Sequence, residues 1–243
     1  MLKDEIIYDK QFSEIYNEYG WDYFSLTMGN AILEFLEKNK IKIKNHIDLC
    51  CGTGTLCDLF YNNKIKTEGI DISEHMISLA KEKNKNINYY VYNVLKFHSK
   101  EKYDLITLTC DAINHLTDNN NIDILFKNIS SMLNDNGYLI FDMYDDNIKY
   151  NTELISKREN NINVHYYITK LQDKVNTNVK VKENEKVICE KDVIEKIYDK
   201  DYIKNKLYEY DIDLVQVEKS IGKEKQRFED KLYFICKKNK GDN

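Results

Sequence analysis

The chain has 243 residues, is 42% hydrophobic and 32% charged, and carries a net charge of −5, enough for one core with a small appendage. Only two of its 36 basic residues are arginines, Arg158 and Arg227, and the lysines lie scattered among acids, which argues against nucleic acid as a partner. No apolar run approaches the ~20 residues of a bilayer span, and MLKDEIIYDK is charged too early for a signal peptide, so the expectation is a soluble, cytoplasmic protein with no membrane partner.

In chain order, residues 4–19 and 22–38 show apolar positions at helical spacing, among them Ile32, Leu33, Phe35 and Leu36. HIDLCC reads as a short apolar strand and TLCDLFYNN as the helix after it. TEGIDIS holds a second strand, and Ser73 suits an N-cap for EHMISLAKEKN. NINYYVYNV and YDLITLTCD read as strands three and four. A helix over 121–133 is expected to stop near Asn136-Gly137, and YLIFDMYD is the fifth strand. This rhythm predicts a parallel sheet with helices on both faces.

After Tyr144 the pattern changes to period two in NINVHYYITK, DKVNTNVKVK and EKVICEKDVIEKI, with turns at Leu171-Gln172-Asp173 and Glu183-Asn184. A helix at DKDYIKNKLYEY and strands at DIDLVQVEKS and DKLYFICKK complete the chain. The expected fold is α/β: a doubly wound, Rossmann-like seven-stranded sheet with a terminal antiparallel hairpin and a small antiparallel β insertion after strand five. It divides into a core with two N-terminal helices over 1–145, an antiparallel β insertion over 146–198, and a last helix and strands over 199–243.

The stretch HIDLCCGTGTLCDLF concentrates the chemistry. Six cysteines (Cys50, Cys51, Cys57, Cys110, Cys189 and Cys236) form no CxxC pair, and adjacent strand residues point to opposite faces, so no metal is expected there. Asp48-Leu49-Cys50-Cys51-Gly52-Thr53-Gly54 instead sits where the first strand turns into a helix, and open parallel sheets bind ligands at such carboxyl ends. Asp71 ends the second strand, where a carboxylate accepts from both hydroxyls of a ribose; it equally suits a strand-end cap. Asn93-Val94, after the third strand, comes close enough to meet an adenine edge. A nicotinamide fingerprint requires a third glycine where Cys57 stands, and Asp48 suits a cationic ligand end better than a pyrophosphate.

DLCCGTGT followed by GIDISEHMISLA resembles the class I S-adenosylmethionine-dependent methyltransferases over roughly residues 40–145, with Asp71-Ile72-Ser73-Glu74-His75-Met76 matching a D-x-S-x-x-M element. Phe12 to Tyr19, FSEIYNEY, looks like the family's lid helix. The resemblance implies S-adenosyl-L-methionine as cofactor. Gly52 and Gly54, with Thr53 between them, face its homocysteine part, Asp48 and Cys50 hold the loop and the amino end, and Asp71 takes the ribose hydroxyls. Ile72 and Met76 pack on adenine, Asn93 and Val94 meet its edge, Cys110 lines the floor beneath the sulfonium, and Tyr16 and Trp21 close over the cofactor with Tyr8 and Tyr19.

Transfer of a sulfonium methyl is an in-line displacement, which calls for alignment and exclusion of water rather than strong acid–base groups. Asp111 and His115, after strand four, are the candidate catalytic residues, and Asn114, His165 and Tyr167 the candidate acceptor contacts, with Tyr166 and Tyr198 as further pocket walls. Asp111 and Asn114 also suit turn caps, and His115 a packing residue. The chain has no proline, so no N-P-P-Y-type loop stands at Thr109–Asn114 and methylation of adenine or an amide is disfavoured. The expected activity is methylation of N or O of a small molecule by a monomer or homodimer. The rivals are a protein or RNA methyltransferase, a nicotinamide oxidoreductase, and a catalytically silent cofactor-binding or scaffolding protein.

Overall fold

The computed structural model describes residues 7–18, 21–145, 152–157, 161–219 and 231–239. Helices α1 (Lys10–Glu18) and α2 (Tyr23–Lys38) precede β1 (Asn45–Leu49), α3 (Thr55–Asn62), β2 (Lys66–Asp71), α4 (Glu74–Lys83) and β3 (Asn88–Val91). Then come β4 (Tyr103–Leu108), a single 3-10 turn at Ala112–His115, α5 (Asn119–Met132) and β5 (Leu133–Tyr144). The strands β6 (Thr152–Lys157), β7 (Ile162–Leu171), β8 (Lys174–Glu183) and β9 (Lys186–Lys196) follow, and α6 (Lys200–Glu209), β10 (Ile212–Glu218) and β11 (Lys231–Lys238) finish the fold.

Seven strands form one sheet in the order β10-β11-β5-β4-β1-β2-β3. Strands β1 to β5 are parallel, while β11 pairs antiparallel with both β5 and β10. Strand order reverses at β1, between β2 and β4, so the crevice for a ligand opens at the carboxyl ends of these strands. Apolar residues of adjacent parity serve opposite faces: Ile106 and Phe141 pack under α5 and α6, and Leu105 and Ile140 under α2 and α3. Phe141 and Phe234 stack at 4.6 Å between ring centroids and lock β11 onto β5. No helix among the described residues is long and apolar enough to cross a membrane.

Two boundaries differ from the sequence expectation. The first helix starts at Lys10, with Asp9 capping it by accepting from Phe12 N at 2.9 Å; residues 4–6 lie outside the described residues. The helix α5 ends at Met132, and Asn136-Gly137 falls inside β5. Asn136 is left-handed (φ 61°), and a side chain on Gly137 would meet the backbone oxygens of Asn134 and Tyr103 at 2.8 and 3.0 Å. The pair therefore marks an irregularity in the register with β4, not a helix stop. Strand β6 has no counterpart in the sequence reading.

Strands β6 to β9 form a separate antiparallel sheet. The β7–β8 hairpin turns through left-handed Gln172 and the β8–β9 hairpin through left-handed Asn184 and Glu185. Helix α1 lies on one face of it: Phe12 and Ile15 pack with Val164, Val181, Cys189 and Val193, and Gln11 Nε2 donates to Ile188 O at 2.7 Å. Because Phe234 closes the largest apolar layer, Phe234→Ala is expected to lower the unfolding free energy by about 3–5 kcal/mol in urea denaturation.

Candidate functional site

After β1 the backbone enters left-handed conformations at Cys50 (φ 60°), Gly52 (φ 53°) and Gly54 (φ 73°). The two glycines do different work. A side chain at Gly52 would point into open space, so this residue keeps a cavity clear, whereas one at Gly54 would meet the Tyr89 hydroxyl at 2.5 Å. Asp71 fastens the loop from the neighbouring strand. One of its oxygens accepts from Gly52 N at 3.0 Å and the other from Ser73 N at 2.8 Å. Ser73 caps α4 by accepting from Met76 N, and its hydroxyl donates to Tyr8 O at 2.6 Å, which ties the N-terminal segment to the sheet.

A half-open cavity of about 70 Å³ lies at these strand ends. Asp48, Gly52 and Asp71 wall one side with Met76; Cys110 and His115 wall the other; Tyr8 and Tyr16 close over it.

Asp48 belongs to a buried hydrogen-bond chain. Thr67 Oγ1 lies 2.5 Å from His46 Nδ1, His46 Nε2 lies 2.8 Å from Thr107 Oγ1, and Thr107 donates to Asp48 Oδ1 at 2.6 Å. With the Thr107 proton committed to the carboxylate, Thr107 must accept from His46 Nε2–H, so Nδ1 accepts from Thr67; this tautomer is assigned from the network. Burial pushes the imidazole down to about 3 and keeps it neutral. Burial also pushes the Asp48 carboxyl up to about 7, against the Thr107 hydrogen bond.

The opposite wall is built on strain. Cys110 (φ 62°) and Asp111 (φ 52°) are consecutive left-handed residues after β4. Their N–H groups donate to the two oxygens of Asp142, on β5, at 2.7 and 2.9 Å. Lys231 of β11 reaches Asp111 Oδ2 at 3.0 Å and Asp142 Oδ2 at 3.2 Å. Burial alone would raise the Asp111 carboxyl, but the Lys231 ammonium beside it outweighs that and holds it below the usual range. Burial likewise would lower Lys231, yet the two carboxylates keep it well above the ordinary lysine value. The Cys110 thiol lies 3.2 Å from Ser25 Oγ of α2. Burial lowers His115 in spite of Asp111, so the ring is neutral. Beside it stands Glu195 of β9, with Oε1 3.9 Å from His115 Nε2.

The cavity thus gathers Tyr16, Asp48, Cys50, Gly52, Thr53, Asp71, Met76, Cys110 and His115 from the residues singled out in the sequence. Gly54 is a packing glycine under Tyr89 instead. Cys110 contributes no free N–H to the floor, since Asp142 takes it. Trp21 packs on Phe12, Tyr16 and Tyr166 in the lid cluster, and Tyr19 lies outside the described residues. Ile72, Asn93 and Val94 do not line the cavity; Asn93 Oδ1 accepts from Leu95 N, forming a turn.

The expected acceptor contacts fare differently. Asn114 is wholly buried as a clamp: Nδ2 donates to Lys196 O at 2.6 Å and Oδ1 accepts from Tyr144 N at 3.1 Å. His165 bonds Glu153 at 2.8 Å and Tyr167 is 46% exposed. Both have the parity opposite to Val164 and Tyr166, which face α1, so the strand period turns them away from the cavity. Tyr198 is stacked on Tyr202 in the core. Sequence reading missed Asp142, Lys231 and Glu195. A carboxylate in phase with buried Cys189 and Val193 was the available signal for Glu195; Lys231 had none.

The Asp48–His46 chain makes a test by acidity. A carboxyl raised in the fold adds stability as pH falls from about 7, and a histidine lowered in the fold removes stability as pH falls below ~6.5. In the wild type the two effects oppose each other. Asp48→Asn keeps an acceptor for Thr107 and removes the first effect. Its unfolding free energy is expected to fall more steeply than wild type between about pH 6.5 and 4, read from urea titrations; parallel curves would contradict the burial of an acid at this position.

Residues 21–179, well over half of the chain, match the family described as a methyltransferase domain. A crystal structure of an S-adenosylmethionine-dependent methyltransferase from Clostridium acetobutylicum is similar with a TM-score of 0.80 at 20% identity, covering 95% of this chain and 98% of that one. CalS10, an S-adenosylmethionine-bound amino pentose methyltransferase from Micromonospora echinaspora, gives 0.75 at 14% identity, covering 94% and 96%. The ubiquinone biosynthesis O-methyltransferase of Coxiella burnetii is 26% identical over 123 residues, 48% of this chain and 51% of the relative. The chain spans about half the length of the curated relatives it matches. The chain belongs to the methyltransferase-domain family and has the fold of the class I S-adenosylmethionine-dependent methyltransferases.

Proposed function

We propose that the cavity binds S-adenosylmethionine and that the chain transfers its methyl group to nitrogen or oxygen of a small-molecule acceptor. The observation that carries this reading is Asp71 beside the open face of Gly52. Each Asp71 oxygen holds one backbone N–H and retains a lone pair for a ribose hydroxyl. Met76 offers an apolar surface to a base, and Asp48 is the carboxylate for an ammonium end. The donor set therefore fits the group. When bound, the cofactor would supply an activated methyl carbon on a sulfonium, open to attack by an acceptor lone pair with the neutral thioether as leaving group.

The chain's own part is alignment and exclusion of water. Tyr8 and Tyr16 close over the cavity, and the sheet β6–β9 backs the lid that carries them. Such a covered site suits a small acceptor better than a macromolecule. The amino pentose in the name of CalS10 supports a small acceptor, and the O-methylation in that of the Coxiella relative supports oxygen.

Calorimetric titration tests the reading. Micromolar binding of S-adenosylmethionine and S-adenosylhomocysteine is expected. Asp71→Ala should weaken both at least about tenfold, because it removes a charged acceptor and unfastens Gly52. Binding of NAD alone, or of none of the three, would overturn it.

A further inference from the structure

Glu195 stands behind the cavity wall, next to His115, and cofactor binding leaves it unused. Its side chain is only 4% exposed, in phase with Cys189 and Val193 on β9. The carboxylate faces the His115 ring at 3.9 Å, beyond hydrogen-bond distance, and that ring walls the cavity. Among the described residues, no group donates a hydrogen bond to it.

The charges around it do not balance. Asp111 and Asp142 share the single ammonium of Lys231, and burial keeps His115 neutral. Among the described residues the neighbourhood is thus one negative charge in excess before Glu195 is counted. A buried carboxylate without a counter-charge is strongly disfavoured. Burial, then the charge of Asp111, push the Glu195 carboxyl well above the usual range. No described residue supplies that charge, which leaves a proton or a cation brought by a ligand. An alcohol brings no positive charge, and a phenol that loses its proton brings the wrong one.

We infer that Glu195 selects an amine: standing behind the His115 ring that walls the cavity, and with Asp111 near it, it draws in the ammonium group of a small aliphatic amine past that ring and takes its proton. This rests on the reading that the cavity holds the methyl donor beside an acceptor. In the proton step an N–H bond breaks, an O–H bond forms on Glu195, and the electron pair stays on nitrogen, where alkylation needs it. The ammonium becomes a neutral amine and the carboxylate a neutral carboxyl. His115, partly open to solvent, stands next to Glu195 to carry the proton away.

The test uses the full chain saturated with S-adenosylhomocysteine, titrated calorimetrically with propylammonium chloride and, as neutral isostere, propan-1-ol. Wild type is expected to bind propylammonium and not propan-1-ol. Glu195→Gln should bind S-adenosylhomocysteine as wild type does and propylammonium about 30-fold more weakly, the effect of removing one partner of a buried charge pair. Equal binding of amine and alcohol by wild type, no binding of the amine, or unchanged amine binding in Glu195→Gln would each overturn the inference. The first two read the wild type alone and hold even if the variant does not fold. Failure of wild type to bind S-adenosylhomocysteine would instead overturn the reading on which the inference rests.

Discussion

Asp142 is the group on which the reacting end of the molecule depends. Two consecutive non-glycine residues in the left-handed region cost on the order of 1–3 kcal/mol each. Hydrogen bonds from their N–H groups to a charged acceptor contribute about 1.5–3 kcal/mol each, enough to hold Cys110 and Asp111 in place. Removing Asp142 would also strip Lys231 of one of its two anions. The position of Asp111, the aim of His115 and the floor made by Cys110 all follow from one side chain on β5.

The same device appears on the other side of the switch point. Asp71, at the end of β2, holds the loop after β1 by the N–H of Gly52, as Asp142 on β5 holds the loop after β4. In each case a carboxylate from the strand next door fixes a left-handed turn. One clamp leaves lone pairs facing the cavity, and the other spends its capacity on backbone and Lys231. That asymmetry separates a face that recognises hydroxyls from one that gathers charge.

The parallel core was legible because each strand in it is a short apolar run bounded by turn residues, and because Asp48, Gly52, Asp71 and Met76 lie in one local pattern. Ser73 was legible as a cap for the same reason. What stayed hidden depends on distant register. Lys231 enters the site only because β11 returns antiparallel to β5, pairing with Tyr144 two residues beyond Asp142. His165 and Tyr167 were misplaced because alternation reveals two faces of a strand without saying which meets the lid. In β9, Ile188 and Ile194 share one parity and Cys189 and Val193 the other, so periodicity alone does not single out Glu195. Asn136-Gly137 shows the opposite error, a local signal that β5 absorbs as a kink.

The grip on the N-terminal lid is uneven. Towards the β6–β9 sheet it is apolar and broad, through Phe12 and Ile15, and reinforced by the ion pair between Asp9 and Lys191. Towards the seven-stranded sheet, the hydroxyl of Ser73 reaches only a carbonyl of the lid, at Tyr8. A hydroxyl can exchange that carbonyl for water at little cost, while still accepting from Met76 to cap α4. Towards the cofactor strands the cover is thus weakest at Tyr8, while Asn114 keeps the β insertion fixed to the core at Lys196, beside Glu195.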